Sequence, residues 1–207
     1  MVESDQGEVD VRLLDVNAPE SDECFHRESL NYMTERLKGR TVTLDTDQDV
    51  DQFGRVLAYV WDQNQNVNLD MVQRGLAIAT TPDTGVGFLI EEEEAFTAGI
   101  GLWAHDACGS GPIPNVRVLA VDQYGETVVI RNDETTTVDL SQWTIRDESS
   151  RHRYSISRGT ELEPGASLTI RSDDPEWDPG SGPIWNNDGD MALLLDASGR
   201  VVDRWRY

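Results

Sequence analysis

Apolar and polar positions alternate along Val56–Trp61 (VLAYVW), the pattern of a half-buried strand. Val9–Leu14 and Thr41–Leu44 have the same β-rich character, so both are read as strands. Between them the period lengthens. In residues 24–38, CFHRESLNYMTERLK, Leu30, Met33 and Leu37 fall on one helical face, and Gly39 supplies a stop. A short second helix, NLDMVQRG, takes Asn68 as its cap and ends at Gly75. A third helix runs through LIEEEEAFTAGIG to near Trp103. Its glutamate run reads as a solvated first turn, where negative charge suits the helix dipole, and not as a metal site.

The small, aperiodic stretch DACGSGPIPN (106–115) reads as a connection, and beyond it every patterned run is a strand. These runs are VRVLAVD (116–122), ETVVIRN (126–132), SLTIRS (167–172), MALLLD (191–196) and VVDRWRY (201–207). Turn residues such as Pro164-Gly165, Asn187-Asp188-Gly189 and Ser198-Gly199 separate them. Strands spaced this way without helices predict a β-sandwich. The chain therefore divides into an α+β unit at 1–108, a linker at 109–114 and an all-β unit at 115–207.

Charge changes the picture of partners. The 207 residues carry a formal net charge of −22, and Lys38 is the sole lysine. Such a surface repels nucleic acid on average, so contact with phosphate must come from local arginines. An acidic, lysine-poor surface suits concentrated salt, where screening shortens to a few ångströms and self-repulsion fades. No apolar run is long enough for a transmembrane helix. The polar, acidic start MVESDQGEVD is not a signal peptide, so an export signal is expected to lie upstream of it. Cys24 and Cys108 lack the spacing of a zinc site. They read either as one long-loop disulfide in an exported protein or as two buried thiols.

Candidate chemistry sits in VRLLDVNAPE (11–20), where Arg12 and Glu20 flank an apolar stretch that stops at Pro19. Together with DQFGRVLAYVW (51–61), VNLDMVQRGLA (67–77) and GLW (101–103), it resembles the staphylococcal-nuclease-like family, the thermonucleases, over roughly residues 9–108. The resemblance implies an OB-type β-barrel with three helices that hydrolyses DNA and RNA phosphodiesters with calcium. Position by position, Arg12 matches the family's first catalytic arginine, Glu20 its general base and Arg55 its second arginine. Attack of water on a phosphodiester builds negative charge on the non-bridging oxygens, which guanidinium groups meet with paired, always-protonated donors. A carboxylate in reach orients or deprotonates the water. Pro19 would fix the backbone that aims Glu20.

The sequence also departs from that pattern. Asn17 stands where the family has a metal-binding aspartate, and its amide oxygen brings no charge to a calcium ion. The next metal contact would be the backbone carbonyl of Ala18. A second metal aspartate belongs to an Asp-Gly-Asp-Thr strand that the sequence does not contain, so the barrel is expected to lack its first strands. An incomplete sequence accounts for this better than a shortened domain. Asp5 and Asp10 are the nearby substitute ligands, outside the family motif. Gln52 replaces a frequent lysine, and Thr81 falls near a tyrosine that packs on the nucleotide. The Ca2+ site is thus expected to be weakened or incomplete.

ETVVIRN, VDLSQWTIRD (138–147), LEPGASLTI (162–170) and IWNNDGDMALLLDASGRVVDRWRY (184–207) resemble the lamin tail domain over nearly all of 115–207. The resemblance implies an immunoglobulin-like β-sandwich that serves as an anchoring or binding accessory to a hydrolase. Trp143 and Trp185 are its expected core aromatics. WNNDGD lacks the closing glutamate of an EF-hand and reads as a turn. Arg146, Arg151, His152 and Arg153 form the most basic stretch, either a solvated hairpin tip or a contact for nucleic acid or an acidic partner.

The sequence reading is a calcium-dependent nuclease with a binding or anchoring module, extracellular or at the cell surface of a high-salt organism. Its partners would be DNA or RNA and a surface or protein ligand of the sandwich. The alternative, which Asn17 and the missing strands favour, is a catalytically weak nuclease fold that binds nucleic acid or protein.

Overall fold

The computed structural model describes residues 2–4, 7–47, 49–81, 87–149, 151–175, 177 and 183–207. Asp5 lies outside them. The first half contains β1 (Val2–Ser4), β2 (Gly7–Val9), β3 (Val11–Leu13), β4 (Val16–Asn17), α1 (His26–Leu37), β5 (Thr43–Asp45) and β6 (Val56–Asp62). After these come β7 (Gln65–Asn66), α2 (Val67–Gln73), β8 (Ile78–Ala79) and α3 (Leu89–Thr97). β6 is the organising strand. It runs parallel to β3 and antiparallel to β5 and β7, while β4 pairs with β8. Its alternation decides what is buried: Ala58, Val60 and Asp62 are covered, with Tyr59 and Trp61 less so. Among the described residues these pairings form small separate sheets and no closed barrel.

The strand expected over Val9–Leu14 is interrupted at Asp10, whose carbonyl accepts the Val56 amide at 2.8 Å. The cap of α2 is Asn66, whose side chain accepts from Leu69 N at 3.1 Å, and not Asn68. Asn68 is instead fully buried: Oδ1 accepts from Val60 N and Nδ2 donates to Leu14 O, tying β6 to the chain after β3. Gly75 and Gly101 explain two short motifs. Both have positive φ, and Leu102 N donates to Gly75 O at 2.8 Å. A side chain on either glycine would collide with backbone carbonyls of the other segment, so GLA and GLW need glycine to pack together. Cys24 and Cys108 are joined, with Cα atoms 5.8 Å apart, which settles the choice between disulfide and thiols.

The second half contains β9 (Val116–Asp122), β10 (Thr127–Asn132), β11 (Val138–Asp139), β12 (Thr144–Arg146), β13 (Arg153–Ser155), β14 (Glu161–Leu162), β15 (Ser167–Arg171), β16 (Met191–Leu195) and β17 (Val201–Arg206). One sheet has the order β15-β10-β9 and the other β13-β12-β16-β17, with β11 and β14 paired separately. Between them lie Ile130, Ile145, Leu194 and the buried tryptophans Trp143, Trp177 and Trp185. Trp177 meets Trp185 edge-on at 6.0 Å.

The two halves share a core. Ile78, Ala95, Leu102 and Trp103 of the first pack with Met191 and Leu193 of the second. Polar groups ring this cluster. Glu92, expected on a solvated turn, is fully buried and accepts from Ala79 N at 2.6 Å, Arg204 at 3.1 Å and Arg206 at 3.2 Å. Burial of that carboxylate is possible because two guanidinium groups and an amide replace its water. Arg200 donates to the carbonyls of His105 and Gly111 at 3.0 and 2.9 Å, which pins the connecting segment in place.

Candidate active site

A cleft of about 630 Å³ opens where the halves meet. Arg12, Asn17, Glu20 and Arg55 line one side, and Glu148, Arg151 and His152 line the other. β3 carries Arg12, and its half-buried guanidinium donates through both terminal nitrogens to Asn17 Oδ1, each at 3.1 Å. Burial lowers the pKa of Arg12, as do Arg55 and Arg151, while Glu20 and Asp51 act the other way. An arginine stays protonated regardless, so the group is a fixed cation in a crowded basic corner.

Arg55 follows the turn that starts at Asp51. The Asp51 carboxylate accepts from the amides of Phe53 and Arg55, at 2.8 and 3.0 Å, and from Arg55 Nε at 2.7 Å. This aspartate therefore shapes the turn and aims the guanidinium with one side chain. Glu20 is exposed just after Pro19, and its amide donates to Glu23 Oε2 at 2.9 Å. Glu23 also binds Arg153 and sits 3.3 Å from Arg146 Nε, so the residue that anchors the Glu20 backbone is gripped by the second half. Ala18 is half-buried, its side chain against the cluster that contains Val16 and Met71.

The basic hairpin divides three ways. Arg146 is 6% exposed and paired with Glu23, so the expectation that it contacts nucleic acid is corrected: a guanidinium this enclosed is not offered to a ligand. Arg153 is a strut between halves, bound to Asp22 at 3.2 Å and to Glu23. Arg151 alone of the three is exposed in the cleft, 5.5 Å from the centre of the Phe53 ring and beside the Gln52 amide, whose oxygen, once the amide is turned to satisfy both groups, accepts from both terminal nitrogens at 3.0 Å. Phe53 is 66% exposed and has Arg55 at 5.4 Å as well, which makes an aromatic face flanked by two cations. Such a face can stack a base beside a phosphate.

Several participants were missed in the sequence. Glu148 accepts from Thr81 N at 2.7 Å and from Thr81 Oγ1 at 3.1 Å, so the second half occupies the position expected near a nucleotide-packing tyrosine. Its backbone carbonyl accepts from Asn17 Nδ2 at 3.0 Å. His152 Nδ1 lies 2.5 Å from Asp147 Oδ2. Sequence spacing offered one signal, the DESSRH run, but not its neighbour across the cleft.

The donor set does not fit a divalent cation at Asn17. Its single acceptor oxygen faces two guanidinium N–H groups, and a cation there would meet like charge. Among the described residues no three metal-ligating side chains converge elsewhere.

The family model described as Staphylococcal nuclease homologue matches residues 10–105, and that of the Lamin Tail Domain matches residues 110–207. An uncharacterized endonuclease of Haemophilus influenzae is 34% identical over 97 residues, 46% of this chain and 54% of that protein. An uncharacterized endonuclease of Escherichia coli is 32% identical over 108 residues, 51% of this chain and 67% of its own length. The thermonuclease of Staphylococcus intermedius is 28% identical over 114 residues, 50% of this chain and 68% of its own length. The chain thus spans between about half and two thirds of these relatives. It belongs to the staphylococcal nuclease homologues, with an OB-type first half, and carries an immunoglobulin-like lamin tail domain as its second.

Proposed function

We propose that the chain hydrolyses phosphodiester bonds of nucleic acid in the cleft between its halves. The observation that carries this is the convergence of Arg12, Arg55 and Glu20 on one cavity in a chain whose relatives include named endonucleases and a thermonuclease. Arg12 and Arg55 neutralise the charge that grows on the phosphoryl oxygens, and Glu20 takes a proton from the attacking water. Phe53 and Arg151 hold the flanking nucleotide. Calcium dependence was expected from the family, but the groups around Asn17 do not suit the ion, so no step is routed through it. The lamin tail domain serves here as one wall of the cleft, and an anchoring role is compatible with that. The Cys24–Cys108 bond supports an extracellular or cell-surface setting, and the net charge of −22 supports a high-salt one.

A second reading, a weak or inactive fold that binds nucleic acid, is favoured by the Arg12–Asn17 contact, which engages a catalytic guanidinium. The two separate in one assay on single-stranded DNA in molar salt, with calcium or with chelator, beside Glu20→Gln. Cleavage lost in Glu20→Gln supports the enzyme. Binding without cleavage by the folded protein supports the second reading.

A further inference from the structure

We propose that His152, presented by the lamin tail domain, is the general acid of this cleft. The inference rests on the phosphodiesterase reading. In the step, water forms a bond to phosphorus and gives its proton to Glu20. The bond from phosphorus to the departing sugar oxygen breaks, its electron pair goes to that oxygen, and His152 Nε2 supplies the proton. Water and a diester become a monoester and an alcohol, with no other reactant.

A sugar alkoxide is too basic to leave unprotonated near neutral pH, so a proton donor is worth roughly 10²–10⁴-fold. Few groups lining the cleft can act. Arg12, Arg55 and Arg151 hold their protons too tightly. Asp15 accepts from the Tyr59 hydroxyl, Asp51 is bound by Arg55, and Glu148 by Thr81 and Arg206. Glu20 is taken as the base. His152 remains, and it is built for the role. Asp147, 1% exposed at its side chain and itself held by Ser149 at 2.7 Å, fixes Nδ1, which leaves Nε2 without a hydrogen-bond partner among the described residues. That is the arrangement by which a carboxylate selects the tautomer and orientation of a working imidazole.

The surroundings favour the protonated ring. The bond to Asp147 raises its pKa most, burial lowers it, the charges of Asp147 and Asp190 raise it and Arg151 lowers it. Across the cleft stand Arg12, Glu20, Asp51 and Arg55, a mixed set of charges.

The test compares kcat/KM of wild-type and His152→Gln on a single-stranded oligonucleotide and on the p-nitrophenyl ester of thymidine 5′-monophosphate. Nitrophenolate departs without a proton. The expected result is a loss of about 100-fold or more on the oligonucleotide and of no more than about threefold on the nitrophenyl ester. The alkaline limb of the oligonucleotide pH profile should also vanish in the variant. Equal losses on both substrates would overturn the proposal and leave His152 as a hairpin or phosphate contact; no loss on either would overturn it too. A wild-type chain that cleaves neither substrate would overturn the nuclease reading, and this one with it.

Discussion

Asn17 donates its side-chain amide to the backbone carbonyl of Glu148, 131 residues further along the chain, at 3.0 Å. The same side chain accepts from Arg12 through its oxygen. Only an amide can do both, because a carboxylate has no N–H for the carbonyl. The residue expected to depart from the family pattern is therefore, with Thr81, one that joins the nuclease wall of the cleft to the lamin tail wall.

Replacing it should show this directly. Asn17→Asp loses the donor and sets a buried anion against the Glu148 carbonyl, with the stronger bond to Arg12 offsetting part of the loss. A destabilisation of about 1 kcal/mol is expected in denaturant unfolding. An unchanged midpoint would contradict a net stabilising role of the amide at Asn17 over a carboxylate there.

Glu92 holds Arg204 and Arg206 across the interface from a fully buried position. Glu92→Ala removes the buried carboxylate that Arg204 and Arg206 share and leaves them Glu93 and Glu148, so the cost should stay below the roughly 3–5 kcal/mol of a fully broken buried pair. Thermal unfolding would reveal it as one lowered transition if the halves unfold together. Two separated transitions in the variant would show that Glu92 couples them.

Stability should fall as pH rises from about 4 to 7. Burial pushes the Asp190 carboxyl up to about 7, against hydrogen bonds from the Asn186 and Met191 amides, while Asp147 and Glu148 raise it further. A carboxyl whose folded pKa exceeds its unfolded one binds its proton more tightly when folded. Its contribution is full below the unfolded value and is lost as pH passes through the folded one. His152, also raised, acts in the same direction. Melting temperatures measured across this range should fall for wild-type and fall less steeply for Asp190→Asn.

Reduction of Cys24–Cys108, which closes an 84-residue separation, should cost about 2–5 kcal/mol. Calorimetry with and without reductant measures it. The bond lies against the 196–200 turn, where a Cβ on Gly199 would come within 3.2 Å of Cys24 Cβ, so reduction should loosen the interface as well.

What could be read from the sequence was whatever each half settles by itself. The alternation in VLAYVW, the helical face of Leu30, Met33 and Leu37, and the strands from Val116 onward follow from local period and composition. Arg12, Glu20 and Arg55 were expected as family positions, and the three line one cleft. The interface was not. Thr144–Arg146 and Arg153–Ser155 flank a run of charges that looks like a solvated tip, and Glu92 sits in a glutamate run that looks like an exposed turn. Their burial is satisfied by partners more than 100 residues away, such as Glu23 for Arg153 and Arg204 for Glu92. Periodicity within one segment carries no trace of such pairs.

The most direct test of a cleft built by both halves is kcat/KM on single-stranded DNA for wild-type, Arg12→Ala and Arg151→Ala. A loss of about 100-fold or more is expected for Arg12→Ala, and a rise in KM of about tenfold for Arg151→Ala with kcat little changed. A wild-type enzyme whose KM ignores Arg151→Ala would contradict that expectation, and would confine the site to the nuclease half.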